Sequence, residues 1–416
     1  MRLTTLSYTS FWIWAIWTGQ VAGMALGHWV ATWTATTQEV ESYNLPPSPF
    51  GGEGADVQFE NATLRQTLRV SIGAERVRVQ LSNLFGQSDL SITAASLAFP
   101  AGGEAGVGEI DTSTVKRLTF SGAASMSIPP RGIVYSDPID FGIPPLSNLA
   151  LTIYSQEGQA GDKITGHPGS RTTSWMEAGN KVNASSIAQA NVAHWYFASA
   201  VEVWASAKKS ALVILGDSIT DGRGSDDNLN NRWPDALAER LQSSNFTDTA
   251  VNNQAAGGNT VLGGGLGPPL LARYHRDALE QAGVRHVMIF EGVNDIGLSG
   301  TDKEAQQRLL NSLIAAYSQI IEDCKQAGLV TIGATITPFG GSDYADPMRE
   351  ETRVLINDWI LTDAAFDYAV DFAALIGDGD QLKPQFDSGD HLHPNVAAYR
   401  ELAQGIDRGI FLLGQK

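Results

Sequence analysis

The chain has one cysteine, Cys324, in 416 residues. An intrachain disulfide is therefore excluded, and stability must come from a hydrophobic core, which this length can supply. Cys324 lies in an amphipathic stretch of helical period, so a buried, inert thiol is expected. Basic residues are also scarce. Twenty-eight Lys and Arg face 45 Asp and Glu, for a formal net charge of −17, and no basic run breaks the acidic background. This excludes a nucleic-acid partner and opposes encounter with a strongly anionic polymer. No apolar run is long. The most apolar, Phe11 to Trp17, is interrupted by Thr18, Gly19 and Gln20 and falls short of the ~20 residues of a membrane span. A stable membrane anchor is not expected.

What is present at the N-terminus fits export. Arg2 precedes the apolar stretch and Ala22, Gly23 and Ala25 follow it, the pattern of a secretory signal peptide over residues 1–27. The sequons Asn61-Ala62-Thr63, Asn183-Ala184-Ser185 and Asn245-Phe246-Thr247 agree with a secreted, glycosylated protein.

With 43% hydrophobic and 18% charged residues, the composition is that of an ordinary globular protein, and the length favours two domains. Residues 28–204 read as all-β. Leu68, Val70 and Ile72 alternate with polar residues, Gly73-Ala74-Glu75 turns the chain, and Val77, Val79 and Leu81 alternate again. That pattern predicts a hairpin with one buried face. Shorter alternating runs at Leu90–Leu97, Arg117–Phe120, Ile133–Tyr135, Leu149–Tyr154 and Trp195–Trp204 complete a β-sandwich, jelly-roll-like in its punctuation.

From Lys208 the pattern changes. Strand candidates at Ala211–Leu215, Thr249–Asn253, His286–Phe290, Leu329–Thr335 and Tyr368–Phe372 alternate with helical stretches near Pro234–Gln242, Lys303–Ala327, Pro347–Ile360 and Asn395–Ile410. This predicts a three-layer α/β domain with a parallel sheet over residues 208–416, with the boundary at Ala205–Ser210.

The first of those strands runs into Gly216-Asp217-Ser218-Ile219-Thr220-Asp221-Gly222. A serine just past a buried strand, at the start of a helical stretch, is placed as a hydrolase nucleophile. It needs a base, and the chain offers seven histidines. His393 precedes Pro394 at a helix start with Asp390 three residues before it, so the acid can hold the ring while the other nitrogen faces Ser218. His391 is the rival base. Asp390, His391 and His393 as metal ligands are a rival mechanism, but their spacing is not that of known zinc sites. A polar helix cap is the bland alternative. No cofactor and no metal are expected. Gly258 follows the second strand and Asn294 the third, so all these segments converge on the carboxyl edge of one sheet.

Four segments, Gly216–Gly222, Asn253–Asn259, Glu291–Asp295 and Asp387–Asn395, resemble in order and spacing the blocks of the SGNH (GDSL-type) hydrolase family. The resemblance covers residues 208–416. It implies a flavodoxin-like sheet, a catalytic Ser218, Asp390 and His393, and an oxyanion hole of Ser218, Gly258 and Asn294. Gly257 is the alternative to Gly258, and Ala255-Ala256 departs from the commonest form. The implied activity is serine carboxylic ester hydrolysis of a small-molecule or polysaccharide ester. The appended β-region leans toward short-chain carbohydrate deacetylation, and the lack of an apolar lid disfavours a lipase or lysophospholipase. A non-catalytic carbohydrate-binding protein is the alternative of another class. Asp221, Arg223 and Arg232-Trp233 read as loop-shaping or capping residues. Gly166-His167-Pro168-Gly169-Ser170-Arg171 reads as a structural turn rather than a loop leaning over the site.

Overall fold

The computed structural model describes residues 27–412, so the signal-peptide expectation lies, Gly27 apart, outside the described residues. The first half is built from antiparallel strands. One sheet runs in the order Gly27–Thr34, Ala198–Ser206, Ala74–Asn83, Gly132–Tyr135, with Ile139–Ile143 also pairing to Ala74–Asn83. A second runs Ala190–Val192, Ser174–Ala178, Ala62–Arg69, Asn148–Ser155, Ala94–Ala98, Lys116–Leu118. Both contribute to one core, with Val30, Val77, Val79 and Val201 from the first and Leu64, Leu68, Leu97 and Leu151 from the second.

The expected hairpin does not form. Ala62–Arg69 pairs with Asn148–Ser155 and Ser174–Ala178 in one sheet, whereas Ala74–Asn83 pairs with Ala198–Ser206 in the other. The connection crosses between sheets. At Gly73 an added Cβ would lie 2.2 Å from the Ile143 carbonyl, so only glycine fits the crossing. Alternation had indicated which side chains are buried, since Leu68, Val70, Ile72, Val77, Val79 and Leu81 all are, but it carries no information on the partner strand. Nor is only one face of Ala62–Arg69 covered. Arg65 is fully buried, donating to Thr152 Oγ1 at 2.9 Å, Gly108 O at 2.6 Å and Ala184 O at 2.9 Å.

The second half is a five-stranded parallel sheet in the order Thr249–Ala255, Ser210–Gly216, Val284–Phe290, Val330–Ala334, Tyr368–Val370. In chain order that is 2-1-3-4-5, the flavodoxin-like arrangement, which puts a crevice at the carboxyl ends beside strand one. The helices are α1 (Ser218–Asp221), α2 (Trp233–Gln242), α3 (Leu270–Tyr274), α4 (Val293–Leu298), α5 (Lys303–Gln326), α6 (Pro347–Thr362), α7 (Phe372–Ile376) and α8 (Val396–Gly405). Polar side chains start several of them. Asp302 accepts from Ala305 N at α5, and Asn395 from Ala397 N and Ala398 N at α8, as orphan N–H groups require. Two expected elements are shorter than predicted. The last strand ends at Val370 because Asp371 caps α7, which Phe372 begins. The last helix ends at Gly405, and a 3-10 turn follows at Arg408–Leu412. Cys324 is fully buried in α5, and burial pushes its thiol up to about 12.

The two halves meet along the strands Gly27–Thr34 and Thr249–Ala255. Ala31 N donates to Ala282 O at 2.9 Å, Asn252 Nδ2 to Ala31 O at 2.8 Å, and Val251 N to Ser71 Oγ at 3.0 Å. Ala211 and Ala250 of the parallel sheet pack into the core of the first half. Only Ala207–Lys209 separates Ala198–Ser206 from Ser210–Gly216. Among the described residues no helix is long and apolar enough to cross a membrane.

Candidate active site

Every residue of Ser210–Gly216 is buried, and the strand ends in a tight corner. A Cβ on Gly216 would lie 2.7 Å from Thr220 and 2.9 Å from Phe290 O. Asp217 caps α1, accepting from Ile219 N at 3.0 Å, and the helix stops after one turn at Gly222, whose φ is +111°. Ser218 opens this turn at the crevice. A single turn carries little macrodipole, so the helical environment expected around the serine is slighter than the sequence pattern implied.

His393 reaches Ser218 from 175 residues away. Its Nε2 is 2.8 Å from Ser218 Oγ, and its Nδ1 is 2.7 Å from Asp390 Oδ2. Asp390 Oδ1 also accepts the backbone N–H groups of His393 at 2.8 Å and Leu392 at 3.1 Å. Burial favours the neutral Asp390 carboxyl, but these N–H groups and the His393 ring outweigh it and hold the group at about 2. Burial, assisted by the nearby Arg223 and Arg171 cations, lowers His393 below its usual 6.5, against the pull of Asp390. Ser218, His393 and Asp390 thus stand in a continuous relay with a neutral imidazole in the middle at neutral pH.

His391 faces elsewhere. It adopts a left-handed backbone (φ +61°), and its Nδ1 lies 2.6 Å from Asp387 Oδ2. Among the described residues no group of His, Cys, Asp and Glu side chains is arranged to hold a metal ion.

Asn294 is the second residue of α4 and is 4% exposed. Its Nδ2 donates to Asn259 O at 2.8 Å, leaving a second amide hydrogen, and its Oδ1 accepts from Tyr344 Oη at 3.0 Å. Tyr344 therefore sets which end of the amide is the donor toward the crevice. The two candidate glycines differ in backbone. Gly258 has φ +68°, with Leu266 Cδ1 3.0 Å from where a Cβ would sit, whereas Gly257 has ordinary φ and more room. Asp295 binds the same loop, accepting from Val261 N at 2.8 Å and Leu262 N at 2.9 Å.

Sequence reasoning missed the strut behind these loops. Arg273 of α3 is 1% exposed and donates to Asn259 Oδ1 at 2.9 Å, Gln254 O at 2.6 Å, Gly216 O at 3.1 Å and Glu291 Oε2 at 3.0 Å. Its one sequence signal is a cation in an otherwise apolar stretch, Leu270-Leu271-Ala272-Arg273-Tyr274.

The crevice is a cleft of about 880 Å³. It is lined by Ser218, Gly258, Asn294, Tyr344, Asp390 and His393, and the first half of the chain contributes a wall with Gln38, Glu41, Asn44, His167, Arg171 and His194. The Gly166–Arg171 segment is therefore part of the cleft and more than a structural turn. Asp221, expected to shape its loop or cap its helix, also pairs with this wall. His167 Nε2 lies 2.9 Å from Asp221 Oδ1.

Residues 214–401 match the model of the GDSL-like lipase/acylhydrolase family. No curated protein matches the chain. Among solved structures it is similar to an acetylxylan esterase from Geobacillus stearothermophilus, at 23% identity over 48% of this chain and 94% of that one (TM-score 0.37). It is also similar to a GDSL-like lipase from Bacteroides thetaiotaomicron VPI-5482, at 16% identity over 49% of this chain and 88% of that one (TM-score 0.36).

Proposed function

Residues 214–401 form a GDSL-like lipase/acylhydrolase domain, and from that premise we propose that this serine ester hydrolase removes short acyl groups, acetyl above all, from carbohydrate or other polar alcohols through a Ser218–His393–Asp390 triad. The observation that carries the proposal is the unbroken relay from Ser218 Oγ to His393 at 2.8 Å and on to Asp390 at 2.7 Å.

The steps follow from the geometry. His393 Nε2 takes the Ser218 proton as Oγ attacks the ester carbonyl, and Asp390 stabilises the imidazolium. The oxyanion is met by the N–H groups of Ser218 and Gly258 and by the second amide hydrogen of Asn294. His393 then returns the proton to the leaving alcohol, and water repeats the cycle to release the acid.

Polar side chains on the wall from the first half, Gln38, Glu41, Asn44 and His194, suit a hydroxyl-rich alcohol better than an acyl tail. We take residues 28–204 to be a jelly-roll-like β-sandwich that forms this wall, and residues 208–416 to be the hydrolase domain. The protein is secreted after loss of residues 1–27. Asn61, Asn183 and Asn245 are exposed, as glycosylation requires.

The test is an ester series from acetyl to palmitoyl nitrophenyl esters, with acetylated xylan and pectin, run on the wild type and Ser218→Ala. Preference for acetyl, with turnover lowered by orders of magnitude in the variant, is expected. A preference for long chains, or fluorophosphonate labelling at Ser225 in place of Ser218, would reject the reading. Protein in the medium should begin near His28.

A further inference from the structure

His167 belongs to the first half of the chain, ends the strand Thr165–His167, and is 4% exposed. Both its ring nitrogens face oxygen acceptors. Nδ1 is 2.8 Å from the Thr36 carbonyl and Nε2 is 2.9 Å from Asp221 Oδ1. The ring therefore bridges the Thr36 carbonyl and the Asp221 carboxylate, with one nitrogen turned to each.

Asp221 is the last residue of α1, three after Ser218, and is 3% exposed. Its surroundings leave it no alternative place. A Cβ on Gly169, two residues after His167, would fall 1.7 Å from Asp221 Oδ2, so the chain passes against the carboxylate there as only glycine can. A Cβ on Gly257, next to Gly258, would lie 3.6 Å from the same oxygen. The His167 ring stacks on Trp195 at 5.7 Å, and Arg232, which donates to Ser170 O at 3.3 Å, lies 5.8 Å from the Trp195 ring. The imidazole is thus held by Thr36, Asp221 and Trp195. A one-turn helix has too few internal bonds to hold its own orientation, and Asp221 is where an outside group grips it.

We propose that His167 is a positioning residue of the active site: paired with Asp221, it holds the turn that carries Ser218 in line with His393, so the first half of the chain completes the catalytic geometry. This rests on Ser218 being the nucleophile. Displacement of a nucleophile by about 1 Å costs on the order of 100-fold in rate, and the loss falls on kcat, because the pair acts through the position of Ser218.

The test compares His167→Gln, His167→Asn and Asp221→Asn in the full chain. Rates on a nitrophenyl acetate are normalised to sites titrated with a fluorophosphonate, so misfolded protein is not counted. Glutamine can place its amide N–H where Nε2 was, toward Asp221. Asparagine can replace only the Nδ1 donor to Thr36. The expected result is a 10- to 100-fold fall in kcat for His167→Asn and Asp221→Asn, partial rescue in His167→Gln, and KM within about twofold throughout. A purely structural role would lower the number of titratable sites and leave kcat per site unchanged, which would overturn the proposal. A change confined to KM would make His167 a substrate contact and overturn it as well. Ser218→Ala is run alongside. If it stays active, the nucleophile assignment fails. If it is dead while all three variants match the wild type, the positioning role alone fails.

Discussion

Arg273 Nε donates to Asn259 Oδ1 at 2.9 Å from a position 1% exposed to solvent. The same guanidinium holds the carbonyl of Gly216, just before the nucleophile turn, and the Glu291 carboxylate at the end of the third strand. One side chain thereby fixes the carboxyl ends of three neighbouring strands, on which three of the four sequence blocks depend.

Arg273→Met should accordingly cost stability as well as activity. It leaves the buried Glu291 without its cation at 3.0 Å, and leaves the buried Asp277, 3.2 Å from Arg273, with Arg276 alone. Removing one member of such a buried set costs about 3–5 kcal/mol. Lysine cannot reproduce the planar fork, so Arg273→Lys should recover little. Urea melts of the three proteins check this, and a variant within 1 kcal/mol of wild type would contradict it.

The pH dependence of kcat/KM should show an acid limb set by His393. The base must be neutral, and burial lowers its pKa below 6.5, so activity should rise through an apparent pKa below 6.5 and be level at neutral pH. Asp390, at about 2, stays ionised across that range. Arg171 is one of the cations that depress His393. Arg171→Gln should therefore favour the imidazolium and move the acid limb to higher pH. A limb that stays put or moves down contradicts that electrostatic role.

Stability should depend on pH in the opposite sense to ordinary acid denaturation. Burial, the largest cause in each case, raises Asp217 to about 7, Glu291 to about 8 and Asp295 to about 6, from usual values of 3.8, 4.5 and 3.8. Each carboxyl binds its proton more tightly folded than unfolded. Their contribution is fully present below about pH 4 and is lost as pH rises through 6 to 8. At roughly 1.4 kcal/mol per pKa unit, the loss is on the order of several kcal/mol, and the net charge of −17 acts in the same direction. The melting temperature should fall between pH 5 and pH 8.5, and Asp217→Asn, which keeps the acceptor for Ile219 N, should flatten the slope. A melting temperature that rises over this interval contradicts the argument.

A chain beginning at Lys208 should be poorly soluble or much less stable than the whole protein. It would expose Ala211 and Ala250, which pack into the other core, and strand Asn252 Nδ2 without the Ala31 carbonyl. Thermal melts and acetyl-ester turnover of the fragment decide the matter. Behaviour equal to that of the full chain would make the first half a separable module.

Within the parallel-sheet half, much could be read from the residues in order. Ser218, Gly258 and Asn294 each follow a strand by a few positions, the Asp390–His393 pair comes after the last strand, and parallel strands in one sheet bring their carboxyl ends together. Separation along the chain therefore did not hide the site. His393 could be preferred to His391 because the acid stands three residues before it, and the folded loop gives each histidine its own carboxylate, Asp390 and Asp387. The antiparallel half was less legible. Alternation showed that Leu68 and Val79 face a core, but pairing between strands is decided by packing across long separations, and here it put the two presumed hairpin strands in different sheets. The same limit hid His167 and Arg273. Nothing local to either residue names Asp221, 54 positions away, or the loop at Asn259. Only the docking of one half against the other turned a polar turn into the wall of the cleft, because a buried imidazole and a buried guanidinium take their roles from the acceptors that the fold brings to them.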